Sequence, residues 1–170
     1  MVHATFTRLP AAKQARVQAA LLAEFSHHPL QTAQVARIVD QAGIARGAFY
    51  KYFDDLTDAY QFVFQAALTT IHQGLPAQPS ATNTAAFVAS IQAFVAQTDA
   101  TGYRALITMH YRYNEGFLGA TPSALGTGPD AATRWAVTTL YHQTVRDILL
   151  DPSTATARLA QLQAVLTKGV

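Results

Sequence analysis

An all-α fold is predicted by three observations. Apolar and alanine residues recur at three- and four-residue spacing along most of the chain, the period of a helix face. Runs that alternate apolar and polar residues, as a half-buried strand would, are scarce. Half of the residues are hydrophobic and only 13% are charged, a balance that supports a buried core and opposes disorder. The expected architecture has about eight helices. A three-helix head spans residues 1–56 and a helical bundle spans 57–170, lengths that suit one domain or two small ones.

The elements follow in order. A first helix is expected from near Pro10, because proline is tolerated where the missing N–H would have had no partner. Val17, Leu21, Leu22 and Phe25 line one side of it, and Pro29 ends it. Thr32 is a candidate N-cap for a short second helix whose Val35, Ile38, Val39 and Ala42 form an i, i+3, i+4, i+7 stripe. Gly43 can take the left-handed conformation that closes that helix. A third helix runs from Arg46 to Phe53, and Asp55 with Asp58 caps a long fourth helix from about Thr57 to Gln73. Gly74, Pro76, Pro79 and Ser80 mark a break. Helices are then expected over about Thr84–Gln97, Tyr103–Tyr113, Ala131–Leu150 and Thr154–Thr167, with Gly116–Asp130 as the longest loop.

Composition bounds the chemistry. The absence of cysteine excludes disulfides, thiolate catalysis and cysteine-ligated metal sites. No secretory h-region and no run of ~18–20 apolar residues is present, so the expectation is a cytoplasmic chain without a membrane partner. Residues 1–53 carry Arg8, Lys13, Arg16, Arg37, Arg46 and Lys51 against Glu24 and Asp40, a net +4, whereas residues 54–170 carry a net −2. A basic head on a near-neutral body suits contact with nucleic acid. There is no glycine-rich phosphate loop, no Gly-x-Ser-x-Gly elbow and no His-Glu-x-x-His, and the acidic residues are dispersed. No enzyme activity, cofactor or metal is expected. His27 and His28 read as residues of a helix end rather than as ligands.

Two short helices joined by a glycine turn form the pattern of a helix-turn-helix. For its second helix to enter a major groove ~12 Å wide, Val35, Ile38, Val39, Ala42, Ile44, Phe49 and Phe53 must be buried on the other side. Arg46 stands at the N-terminal end, where recognition helices meet base edges. Gly47 and Ala48 are small enough for close approach to DNA. Tyr50, Lys51 and Tyr52 can reach phosphates.

The run from Gln34 to Phe53, QVARIVDQAGIARGAFYKYF, resembles the DNA-binding signature of TetR-type regulators, and the likeness extends over roughly residues 8–64. That family has a short helix, a Gly-Val/Ile turn, a small-Phe/Leu-Tyr-x-His/Tyr-Phe recognition helix and an acidic-capped fourth helix in this order. The resemblance implies base-edge contacts for Arg46 and Ala48 and backbone contacts for Tyr50 and Tyr52, with Lys51 between them. Gln34 and Arg37 become candidates for groove or phosphate contacts. Three positions depart from the pattern. Leu56 replaces a lysine common at the start of the fourth helix, Ala45 a capping serine, and Val39 a smaller alanine.

The resemblance further implies a transcriptional regulator, most simply a homodimeric repressor of a palindromic operator, released by a small molecule. Leu140, Val145, Ile148 and Leu149, with Leu159, Leu162, Val165 and Leu166, supply apolar stripes for a four-helix dimer surface or for packing within the chain. Tyr103, His110, Tyr113 and Trp135 are candidates to orient a small apolar or aromatic effector in the C-terminal portion, which spans helices rich in aromatic residues. The rival expectation is a helical protein–protein adaptor whose head docks a partner protein.

Overall fold

The computed structural model describes residues 2–73, 83–119 and 126–168, and among these it is helical with no strand. The expected break at Gly74–Ser80 and the middle of the expected loop, residues 120–125, lie outside the described residues. The chain forms two compact units, one of residues 1–70 and 105–119, the other of residues 71–104 and 120–170.

The first unit opens with a short helix that the sequence pattern does not announce, α1 (Ala4–Thr7), whose Phe6 is fully buried. Helix α2 (Ala11–His27) starts directly after Pro10 and buries Val17, Ala20, Leu21, Glu24 and Phe25. Thr32 does not cap the next helix. It closes a 3₁₀ turn, Leu30–Thr32, and α3 (Val35–Ala42) begins after Gln34 without a side-chain cap of its own. The reason lies in α2: the Gln34 N–H donates to Glu24 Oε1 at 2.7 Å, so a neighbouring helix does the work of the cap.

Gly43 adopts φ +63°, ψ +44°, and the Ile44 N–H reaches back to the Val39 carbonyl at 3.0 Å. That is the left-handed glycine stop the sequence predicts. Helix α4 (Arg46–Tyr52) follows, and α5 (Leu56–Gln73) is opened by a reciprocal acidic cap. The Asp58 N–H donates to Asp55 Oδ1 at 2.7 Å, and the Asp54 N–H donates to Asp58 Oδ2 at 3.1 Å. The unit is completed by residues 105–119, which run from α7 (Arg104–Met109) through a π-helical turn (His110–Asn114) to α8 (Glu115–Leu118). The expected single helix Tyr103–Tyr113 is therefore interrupted, and helix extends into what reads as loop in sequence.

The second unit packs α6 (Thr84–Ala100), α9 (Ala131–Leu150) and α10 (Ala155–Lys168) against one another. Ile91, Phe94, Val137, Val145, Ile148, Leu149 and Leu162 form its interior. Asn83 caps α6 by accepting the Ala86 N–H at 3.0 Å. Asp99 pairs with Arg104 across the turn that follows α6. No helix of the described residues is long and apolar enough to cross a membrane.

Candidate nucleic-acid interface

The site is built outward from the apolar side of α4. Phe49 and Phe53 are fully buried, and Tyr52 is 4% exposed. Phe53 packs on Phe49, Phe62 and Phe6 at ring separations of 5.3–5.7 Å. From α3, Val35, Ile38 and Ala42 are buried against this core, and Val39 and Ile44 are half-buried. With one side of α4 spent in this way, Arg46, Gly47, Tyr50 and Lys51 are left exposed and Ala48 half-exposed. Arg46 and Lys51 make no side-chain hydrogen bond or ion pair among the described residues. They are cations on a free helix face.

Gly47 has no structural requirement to be glycine. Its φ is not positive, and a Cβ added there meets no atom within 4 Å. Glycine in the middle of a helix costs roughly 0.5–1 kcal/mol relative to alanine, the second residue of α4 rather less, and nothing among the described residues crowds the position. Ala45, which precedes α4, offers no capping side chain, so the first N–H groups of this helix also lack a side-chain acceptor.

The remaining predicted residues divide. Tyr50 is 47% exposed, its ring edge-on to Phe49. Tyr52 is first a core residue, with its ring 5.6 Å from Phe6. Gln34 is exposed at the start of α3. Arg37 is an internal brace. Its Nε donates to Glu24 Oε2 at 2.8 Å, and its Nη2 donates to Glu24 Oε1 at 2.6 Å and to the Thr32 carbonyl at 3.1 Å. Only Nη1 is left for an outside partner.

Glu24 is the residue that sequence reasoning passes over. Burial would raise its pKa, but the Arg37 hydrogen bonds and the Gln34 N–H more than offset this and hold it below the ordinary 4.5. Its one signal in the sequence is that it is the single acidic residue of α2. The N-terminal residues escape in the same way. His3 donates its backbone N–H to the Tyr52 carbonyl at 2.9 Å and places Nε2 2.7 Å from Asp54 Oδ1. Together with Phe6, this pins the segment to the end of α4.

The hydrogen bond with Asp54 raises the His3 pKa above 6.5. A raised histidine contributes stability that is complete below its unfolded pKa and lost as pH rises through the folded one. The residues of α1 are therefore expected to exchange their amides faster, beyond the intrinsic pH trend, once pH climbs above that raised value. His3→Ala should abolish this step, and an unchanged step in His3→Ala would refute the assignment.

The effector candidates are distributed over both units. Tyr103 and Trp135 belong to the second, His110 and Tyr113 to the first. Trp135 is 57% exposed and lines a cavity of about 510 Å³ on the α9 surface with Arg134, Thr138 and His142 among others. Tyr113 is 50% exposed. His110 is stacked on Phe64 at 4.2 Å, with its Nδ1 2.9 Å from the Tyr60 hydroxyl. Tyr103 is half-buried. Among the described residues, no three His, Asp or Glu side chains are grouped so as to hold a metal ion.

Residues 17–56 match the family model of bacterial regulatory proteins of the tetR family. No curated protein matches the chain. Among solved structures, the chain is similar to a TetR family transcriptional regulator from Chloroflexus aurantiacus J-10-fl, with 18% identity and a TM-score of 0.59 over 99% of this chain and 96% of that one. It is also similar to a candidate transcriptional regulator from Pseudomonas aeruginosa PAO1, with 20% identity and a TM-score of 0.49 over 98% and 94% of the two chains.

Proposed function

We propose that this chain, a TetR-type regulator by its DNA-binding head, is a homodimeric repressor that reads a palindromic operator through α4 and releases it when a small apolar or aromatic molecule binds the C-terminal portion. The observation that carries the reading is the exposed face of α4, where two unpaired cations flank a glycine that the fold does not need. A glycine there admits a DNA backbone or base edge within van der Waals reach, at the cost of helix propensity. Functionally, residues 1–56 are the DNA-binding part and 57–170 the regulatory and dimerising part. This division by role differs from the division by packing.

In this reading Arg46 meets a base edge, with Gly47 and Ala48 allowing close approach. Tyr50 and Lys51 bind phosphates, the Tyr52 hydroxyl adds a contact at the helix edge, and Gln34 and Arg37 Nη1 reach the flanking backbone. A palindrome needs two such helices about 34–36 Å apart, hence a dimer. Val145, Ile148, Leu149 and Leu162 are consumed by packing within the chain, whereas Leu140, Leu159 and Leu166 are half-exposed and Val165 is 38% exposed. The outer residues of those stripes are the ones available to a second copy. Tyr103, His110, Tyr113 and Trp135 are the residues proposed to meet the effector. Release requires that the effector favour one spacing of the two recognition helices over the other, and a coupling of about 1–3 kcal/mol gives roughly 5–150-fold derepression.

Gly47→Ala tests the carrying observation. It should leave the chain as stable as wild type or stabilise it by up to about 0.5 kcal/mol, while weakening binding to duplexes that the wild type enriches from a random pool. Thermal unfolding and fluorescence anisotropy report the two effects. A variant that is unchanged in DNA affinity would leave the glycine without a functional reason.

A further inference from the structure

We propose that Asn114 is a positioning residue for DNA binding, holding from the π-helical turn the 3₁₀ turn that leads into α3; this rests on reading the head as a DNA reader. The Leu30 N–H donates to Asn114 Oδ1 at 2.8 Å across 84 residues of sequence. Leu30 is 5% exposed and Asn114 1% exposed, so water does not serve either group. A buried N–H without an acceptor is costly, and Asn114 is the group that prevents it.

Three features show that this bond is an end in itself rather than a by-product of packing. Asparagine is a poor choice inside a helix, where its side chain competes with the backbone. The other half of its amide, Nδ2, is buried without a well-formed hydrogen bond among the described residues. The residue thus brings one satisfied group and one poorly satisfied group into the core. The backbone that carries it is π-helical over His110–Asn114. A π turn holds one residue more than the α-helix in the same span. Its conversion to regular α-helix would turn the following residues by roughly 100° and withdraw Asn114 from Leu30. The turn is anchored at its start by His110, which is stacked on Phe64 and beside the Tyr60 hydroxyl.

The consequence falls on the head. Residues Leu30–Thr32 deliver the chain to Gln34 and α3, and the polar contacts that fix that end include those of Glu24 to the Gln34 N–H and Arg37, and of Arg37 Nη2 to the Thr32 carbonyl. With the Leu30 anchor removed, α3 and the α4 packed on it sample more poses. Apparent affinity then falls with the fraction of molecules in the binding pose.

The test uses the full chain and duplexes that the wild type enriches from a random pool. Asn114→Leu fills the same space without an acceptor, and Asn114→Asp keeps the acceptor. Asn114→Leu is expected to weaken binding about tenfold with the salt dependence unchanged, the effect of one buried N–H left unpaired. Asn114→Asp, which keeps the acceptor for the Leu30 N–H but buries an acid, should bind more tightly than Asn114→Leu. Hydrogen exchange should quicken in Asn114→Leu over residues 30–42, not at Leu30 alone. A folded Asn114→Leu with wild-type affinity overturns the proposal, and so does an Asn114→Asp that binds as poorly as Asn114→Leu. A wild type that enriches no duplex overturns instead the reading on which the proposal rests, and the DNA role of Asn114 with it.

Discussion

Arg46→Ala lowers affinity for the enriched duplex by about 5–150-fold, the range that corresponds to the ~1–3 kcal/mol of a bidentate arginine–base contact. The loss should be concentrated at one base position of each half-site, where the variant accepts substitutions that the wild type rejects. Lys51→Ala should behave differently. It removes a phosphate contact, so affinity falls evenly across sequences and the salt slope shrinks by about one charge. The two effects separate because Arg46 stands at the first residue of α4 and Lys51 a turn and a half later, both exposed and neither tied within the described residues. Binding-site selection with both variants measures the difference. Equal effects of the two substitutions on sequence preference would remove Arg46 from its assigned role.

Glu24→Ala is the substitution expected to cost the most stability, about 2–4 kcal/mol. It leaves the Gln34 N–H without its acceptor and strips the Arg37 guanidinium of a two-pronged partner that is itself 3% exposed. The part of the cost that falls on Arg37 is moderated because that side chain is 37% exposed and water can serve it. Arg37→Ala should also destabilise, since it leaves a buried carboxylate without its cation. The pH dependence has a definite sign. With the folded pKa held below 4.5, the contribution of Glu24 is complete above its unfolded pKa and is lost as pH falls through the folded one. Denaturant unfolding at pH 7 and in acid should therefore show wild type and Glu24→Ala converging as pH drops below 4.5. Parallel curves down to low pH would show that Glu24 does not hold α3 in place.

What the sequence makes legible follows local rules. The Val35, Ile38 and Ala42 stripe, the glycine stop at Gly43, the span of α4 and the Asp55–Asp58 cap each depend on residues within one turn or two of one another, and each is found in place. What escapes depends on distant partners. Thr32 is a good cap by type, but Glu24 reaches the Gln34 N–H first, ten residues upstream. Tyr52 reads as a groove residue, and nothing local in the sequence tells that Phe6 packs on its ring. Phe6 itself sits on a four-residue helix with no periodicity to announce it. The π turn at His110–Asn114 adds one residue to a helix whose sequence reads as regular, and only the bond from Asn114 to Leu30 shows what that residue does. The face of α4 is legible because burial of Phe49 and Phe53 decides it. The role of Arg37 is not, because its charge points to DNA while a buried carboxylate stands within the same head.

That α4 reads DNA sequence is tested most directly by fluorescence anisotropy with the duplex enriched by the wild type and a scrambled duplex of the same length, each at two salt concentrations. Tighter binding to the enriched duplex is expected at both concentrations, with affinity falling steeply as salt rises because phosphate contacts release counterions. Equal binding to both duplexes, insensitive to salt, would contradict a DNA-reading α4 and point to a head that docks a protein.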